Sequence, residues 1–435
     1  MLFERSAQAP HGNRIRTHAV IAFLRLTLLC TLVLAASAKA TTGASNGPYA
    51  ADFDFYWQTI DDNFAYFDSE RPRSRWRLVR TVYAPLATEI TSRNGLISLL
   101  ESANNELYNG HVTLDVNLNS SNRIIPTGAD MWAEPERGEF VVRNVRAGYN
   151  ADRAGIRPGM IVVAVDGRPC EAAIRPFLPR STKHYTRAMR EYAINMLLAG
   201  RHDERRRITV VFHGVEREFQ PDIVPDRVDI SDHRTIEVAR LSGGIGYIKI
   251  DNSLGNTALI AAFDRAVDRF RDTRGLVLDL TDTPSGGNTS VARAILGHFV
   301  HAAIPYHAIP YQEIDYPDEE RSYGVRRAQL DLVFPRGTPY DRPVAVLVNP
   351  WTGSVGEALA IGFAAATPDR VIGNKMAGLL GAICTYVTPN AGIGFAVPCQ
   401  RTFTVAGRPR EDFTPSTGSG ERGDIVLAER YLARP

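Results

Sequence analysis

The stretch Gly353-Ser354-Val355-Gly356-Glu357 constrains the fold more than any other part of the chain. It follows the apolar run Pro343-Val-Ala-Val-Leu-Val-Asn-Pro350, which is β-branched, bounded by prolines, and reads as a buried strand. It opens Ala358-Leu-Ala-Ile-Gly-Phe-Ala364, rich in alanine and leucine, which reads as a buried helix. A serine at a strand-to-helix turn has its hydroxyl lifted off the sheet, beside the unpaired N–H groups of the helix's first turn. One reading is a nucleophile with half of an oxyanion hole attached. The other is an N-cap serine, with Glu357 three residues on at the capping-box position.

The surrounding sequence alternates in the same sense. Gly246-Tyr-Ile-Lys-Ile250 is a strand, Thr257 to Arg271 an amphipathic helix, and Gly275-Leu-Val-Leu-Asp-Leu280 a second strand. The glycine turn Thr281-Asp-Thr-Pro-Ser-Gly-Gly-Asn288 follows, then a helix from Val291 to Val300. Such alternation predicts an α/β core over residues 236–435. Residues 50–116 read as a helical subdomain: Phe53, Tyr56, Trp57, Ile60, Phe64 and Phe67 fall near helical spacing. That part ends in Tyr108-Asn109-Gly110-His111, with Gly110 read as a helix C′ residue and Val112 to Val116 as a strand.

A chain of 435 residues has material for two or three domains. Its net charge of +2 implies no polyanion partner, and it shows no basic stripe, zinc-finger spacing or Walker loop, which argues against nucleic-acid binding. Near the N-terminus, Arg14 and Arg16 precede an apolar run and then small residues, Ala36-Ser37-Ala38 or Ala38-Lys39-Ala40. That order predicts a secretory signal over residues 1–40, and hence an exported protein, periplasmic or secreted. The part of that run after Arg25, Leu26 to Ala36, is short for a bilayer span, so the mature chain is expected to keep no stable transmembrane segment; an uncleaved anchor is the alternative. Cys384 and Cys399 flank the turn Pro389-Asn390-Ala391-Gly392, and a hairpin there sets them nearly opposite each other. In an exported chain that favours a disulfide; two separate core thiols are the alternative. No metal set is legible around either cysteine.

Residues 124–222 form a further unit. Ala154, Gly155, Ile156, Gly159, Ile161, Val165 and Gly167 resemble the signature of a PDZ domain, with Met160 where an aspartate is usual. The resemblance implies a β domain that adds an extended peptide to a sheet edge and captures its C-terminal carboxylate. Residues 172–206 read as a helical insertion in it, without an assigned role.

Taken together, the export signal, the PDZ-like unit, the Leu278-Asp279-Leu280…Ser285-Gly286-Gly287 turn, the Ser354 turn and the helix-terminal Gly110-His111 resemble the tail-specific, C-terminal processing serine peptidases of the S41 type. That resemblance implies a ββα-spiral core related to the ClpP and crotonase folds. It makes Ser354 the nucleophile. Relatives that use a lysine base carry it where this chain has Leu379, and Lys375 sits where proline is usual, so the lysine solution is absent. Tricorn-like members use a histidine and a distant glutamate instead. Leu107-Tyr-Asn-Gly-His111-Val-Thr-Leu114 matches the histidine segment apart from Asn109 and Val112, making His111 the base. Glu411, after Gly407-Arg408, takes the orienting role, with Asp412 second. Val355 N–H with Gly286 or Gly287 N–H forms the oxyanion hole. The resemblance implies protein or peptide substrates and no cofactor, and it leaves the oligomeric state open. A non-catalytic peptide-binding protein of the same fold and a crotonase-like acyl-transfer enzyme are the competing functions.

Overall fold

A run of five β-branched or small apolar residues is stable as a strand only where both of its faces are covered. The computed structural model describes residues 47–223, 235–310, 328–366, 371–417 and 421–432, and in it Val344–Val348 is such a strand, every residue buried. The signal expected over residues 1–40 lies outside the described residues. Among the described residues no helix is long and apolar enough to cross a membrane.

Three helices come first: α1 (Pro48–Asn63), α2 (Arg73–Thr88) and α3 (Arg93–Asn104), followed by the short strand β1 (Thr113–Leu114). Next are β2 (Met131–Glu136), β3 (Glu139–Val145), α4 (Asn150–Ala154), β4 (Ile161–Val165), β5 (Arg168–Pro169), α5 (Cys170–Ala173), α6 (Arg187–Ala199), β6 (Ile208–Phe212) and β7 (Val215–Phe219). The remainder comprises β8 (Ile236–Leu241), β9 (Ile245–Ile250), α7 (Ala258–Arg269), β10 (Gly275–Asp279), α8 (Thr289–Leu296), β11 (Ile304–Pro310), β12 (Ala328–Val333) and β13 (Val344–Val348). It closes with α9 (Val355–Ala366), β14 (Val371–Gly373), β15 (Ala382–Val387), β16 (Gly394–Gln400), β17 (Ser416–Thr417) and α10 (Glu421–Leu432).

The central sheet runs β17-β14-β13-β10-β9-β8. Its pairs are parallel except β8 on β9. Helices α7, α8 and α9 cover one face through Phe263, Leu296 and Phe363; Ala428 and Leu432 of α10 cover the other. This sandwich is why β10 and β13 read as unbroken apolar runs. Because β10 and β13 are parallel neighbours with Asp279 opposite Leu347, the turns that leave them emerge side by side. Thr283 N–H donates to Trp351 O at 3.0 Å, and Gly353 N–H to Thr283 O at 3.2 Å. In α/β sheets, ligands gather at such carboxyl ends of strands.

The 124–222 unit is a five-stranded path, β2-β3-β4-β6-β7. The segment read as an insertion supplies part of its core: Met189, Ala193, Ile194 and Leu198 of α6 are buried with Phe140, Val162 and Ile208. Asn195 Nδ2 donates to Ala133 O and its Oδ1 accepts from Ala133 N–H, both at 2.9 Å, which fastens α6 to β2. This unit meets the central sheet through Trp351, whose Nε1 donates to Ala129 O at 2.7 Å, and through Arg146. Arg146 Nε reaches Asp282 Oδ1 at 2.8 Å, with both side chains buried.

The N-terminal helices share one apolar cluster with the C-terminal hairpin. Tyr56, Trp76 and Leu100 pack with Leu380, Phe395 and Val397, and β1 pairs antiparallel with β16. The glycine reading at the end of α3 needs correction. Tyr108, with φ +36°, takes the left-handed position, at the end of the 3₁₀ turn Asn105–Leu107 that follows α3. Gly110 is required for another reason: a Cβ on it would come within 2.3 Å of Ile125 O.

Candidate active site

Ser354 lies between β13 and α9 with φ +52°, a left-handed conformation that costs a residue with a Cβ about 1–2 kcal/mol. Glu357 holds it there. The Glu357 carboxylate accepts Ser354 N–H at 2.8 Å, Gly378 N–H at 3.0 Å and Leu379 N–H at 3.2 Å. That is half of a capping box, and it ties the serine turn to the 378–379 segment as well. The other half is missing: Ser354 Oγ has no hydrogen-bond partner among the described residues. The N-cap reading of the hydroxyl therefore fails, and Ser354 combines a strained backbone with an unpaired hydroxyl, a pattern that clusters at active sites.

Beside it stands the 281–288 turn. Gly286 has φ +64°, and a Cβ there would come within 2.4 Å of Ser354 Cβ, 2.9 Å of Oγ and 3.1 Å of Val355 N. Its own N–H is spent on Thr283 O at 3.2 Å. Gly287 packs on the Leu254 backbone, and its N–H and that of Val355 have no partner among the described residues. Of the two glycines, Gly287 is thus the one with an N–H available to donate, and Gly286 the one whose missing side chain keeps space open beside Ser354 Oγ.

His111 and Ser354 line one cavity of ≈ 530 Å³, with Gly287, Thr289, Val355 and Leu379. No hydrogen bond joins the two, an arrangement usual for a catalytic pair without substrate. His111 Nδ1 is 2.6 Å from Leu380 O. A carbonyl only accepts, so Nδ1 carries the proton and Nε2 keeps the lone pair of a base. Asn109 sets the backbone: its Oδ1 accepts His111 N–H at 3.0 Å, and its Nδ2 donates to Gly378 O at 3.1 Å.

Glu411 does not stand at His111. No ion pair or hydrogen bond links them; Glu411 Oε1 instead faces Arg401 Nη2 at 3.3 Å. The neighbouring Arg410 is the residue that turns inward. Its guanidinium is buried, donates to Leu379 O and to Gly381 O, and lies 4.0 Å from Glu357. Asp412 is exposed. Lys375 Nζ lies 3.6 Å from Glu191 and does not border the Ser354 cavity. Cys384 and Cys399 are disulfide-bonded, with Cα atoms 5.7 Å apart, across the β15–β16 hairpin that begins just after Leu380. No group of three or more His, Cys, Asp or Glu among the described residues is placed to hold a metal.

Burial drives the His111 pKa down to about 4; the Leu380 carbonyl opposes this and the Arg410 charge adds to it. With a pKa below the ordinary 6.5, the folded protein binds fewer protons than the unfolded chain between pH 4 and 6.5, so this histidine adds stability as pH rises through that window. The expected pH profile of kcat/KM has its acid limb near pH 4, because free-enzyme His111 stays neutral down to there. An acid limb at or above 6.5 would show that a carboxylate, not the Leu380 carbonyl, faces the ring in the working enzyme.

Residues 244–415 match the model of peptidase family S41. The chain is 22% identical over 358 residues to a carboxyl-terminal-processing protease of Synechocystis sp., covering 78% of this chain and 73% of that one. Mature CPAF in complex with lactacystin superposes with a TM-score of 0.56 at 14% identity, over 88% of this chain and 96% of that one. A putative peptidase from Parabacteroides merdae gives 0.54 at 15% identity, over 89% and 97%. The photosystem II D1 C-terminal processing protease gives 0.51 at 16% identity, over 89% and 98%. These likenesses show a shared α/β peptidase fold.

Proposed function

The chain is a serine peptidase of family S41, and from that premise we propose that it is an exported endopeptidase acting on C-terminal or unfolded segments of proteins. The observation that carries the catalytic part is the strained Ser354, whose uncapped hydroxyl shares a cavity with His111. In the mechanism that follows, His111 Nε2 takes the Ser354 proton as Oγ attacks a peptide carbonyl. Val355 and Gly287 N–H groups bind the oxyanion, each worth about 3 kcal/mol of transition-state stabilisation. The protonated His111 then gives its proton to the leaving amine, and water hydrolyses the acyl-enzyme. The Leu380 carbonyl keeps the ring in the required tautomer, the part first assigned to Glu411.

The substrate class rests on two relatives named for carboxyl-terminal processing, together with the PDZ-like unit at residues 124–222, which would engage the substrate as an added strand. Export rests on the order of charged, apolar and small residues before position 41. The test is labelling of the purified protein with a fluorophosphonate. Wild type and Lys375→Met are expected to label; Ser354→Ala and His111→Ala are not. Absence of labelling in wild type would favour a peptide-binding protein that keeps the fold without the reaction. Labelling that survives Ser354→Ala would remove the nucleophile.

A further inference from the structure

A second cavity, of ≈ 280 Å³, lies between α3, the segment after His111 and α6. It shares Gly110, Thr113, Ile124 and Ile125 with the Ser354 cavity, so the two border the same stretch of chain. Its walls are largely apolar, among them Val112, Leu114, Phe177 and Met196. The polar side chains within it are mostly committed: Asn104 accepts from Tyr56, Asn105 accepts from Tyr192, and Asn122 donates to Met196 O. Arg201 at its edge is held by Asp203 and Glu204, each at 3.0 Å. Glu101 is different. Its Oε1 accepts from Ser121 Oγ, while its Oε2 has no hydrogen bond and its carboxylate no ion pair among the described residues. Burial pushes this carboxyl above its ordinary pKa, as expected for a desolvated acid without a cation.

We propose that this cavity is a substrate subsite that takes a lysine side chain flanking the scissile bond, its alkyl stem along the apolar walls and its ammonium on Glu101 Oε2. The proposal rests on the peptidase reading only in calling the ligand a substrate. An unpaired, half-buried carboxylate at an apolar wall selects a ligand cation, because the incoming charge removes the cost of leaving the acid alone. Arg201 is already paired with Asp203 and Glu204, so it does not supply the cation that Glu101 lacks. Only one oxygen is open, which suits a compact ammonium better than the two-pronged guanidinium of arginine.

Binding to the full chain carrying Ser354→Ala tests this without turnover. Dye-labelled peptides that differ only in lysine or norleucine, scanned through each position, would be titrated by fluorescence anisotropy. Norleucine keeps the stem and lacks the amine. Lysine is expected to bind about 10- to 100-fold tighter at one position, the worth of a hydrogen bond to a charged group. Arginine there falls below lysine, and Glu101→Gln, which retains the Ser121 contact, brings the lysine-to-norleucine ratio to unity. Equal binding of lysine and norleucine at every position overturns the proposal, as does no binding of any peptide or a ratio that survives Glu101→Gln. The lysine-to-norleucine contrast is read with Glu101 in place, so it stands whether or not the variant folds. Fluorophosphonate labelling of wild type judges the peptidase reading separately.

Discussion

Ser354→Gly is expected to abolish turnover and raise stability at the same time. Loss of the nucleophile lowers kcat by about 10⁴- to 10⁶-fold, as it does where a serine, its base and an oxyanion hole act as a unit. Stability moves the other way because Ser354 sits at φ +52°, and glycine removes a left-handed penalty of about 1–2 kcal/mol. The greater entropy of glycine in the unfolded chain returns about 0.5–1 kcal/mol of that. The net gain is therefore between about 0 and 1.5 kcal/mol, a rise of up to about 2 °C in Tm for a chain of this size. Nothing is lost on the native side, since Ser354 Oγ has no partner to forfeit and the backbone N–H stays on Glu357. Ser354→Ala is the comparison: equally inactive, but still strained and no more stable. Steady-state kinetics with thermal melts of the three proteins checks both halves. A destabilised Ser354→Gly would mean that the hydroxyl does structural work after all.

Gly286→Ala is expected to lower kcat by about 10²- to 10³-fold, the size of the effect of losing one oxyanion donor, without removing any donor. Its N–H already serves Thr283, so the damage is steric. The new methyl would press on Ser354 Cβ and Oγ and stand 3.1 Å from Val355 N, in the space where the oxyanion forms. Only Oγ can rotate aside, since Ser354 Cβ is fixed by its own backbone, so the cost in stability adds about 1–3 kcal/mol of overpacking to the strain of alanine at φ +64°, itself about 1–3 kcal/mol. Gly287→Ala is a poor substitute test, because its Cβ would meet the Leu254 backbone at 2.2 Å and dislodge the turn itself. Measuring kcat and the fluorophosphonate labelling rate on folded Gly286→Ala decides the matter. Wild-type values for both would show that the oxyanion forms elsewhere.

The parts of the site legible in the sequence are those where local chemistry is distinctive. Ser354 announces itself by a strand-to-helix turn, and the doubled glycine of 286–287 by a need for close approach. The partner of His111 was not legible, because it is a backbone carbonyl, and every residue has one. Glu411 is not brought to His111, because its neighbour Arg410 is the residue that points inward, to Leu379 O and Gly381 O, and Glu411 then falls beside Arg401. Only the direction of a short turn separates these outcomes, and side-chain direction in a 3₁₀ turn is set by what it packs against. The stretch 172–206 is legible as helical, but its apolar positions do not say which sheet the helix covers.

By itself the sequence determined which residues are candidates for chemistry and what local backbone surrounds them: a serine entering a buried helix, a glycine turn after a buried strand, a histidine after a helix end. Period and turn chemistry are short-range properties, and they survive in a single chain. The tertiary structure alone decided that His111, 269 residues from Leu380, is held by that residue's carbonyl and opens on the Ser354 cavity. That meeting depends on β1 pairing with β16 and on the N-terminal aromatic cluster closing over the same hairpin. Those are long-range burial and pairing events. Their energy comes from surfaces that no local pattern specifies as partners.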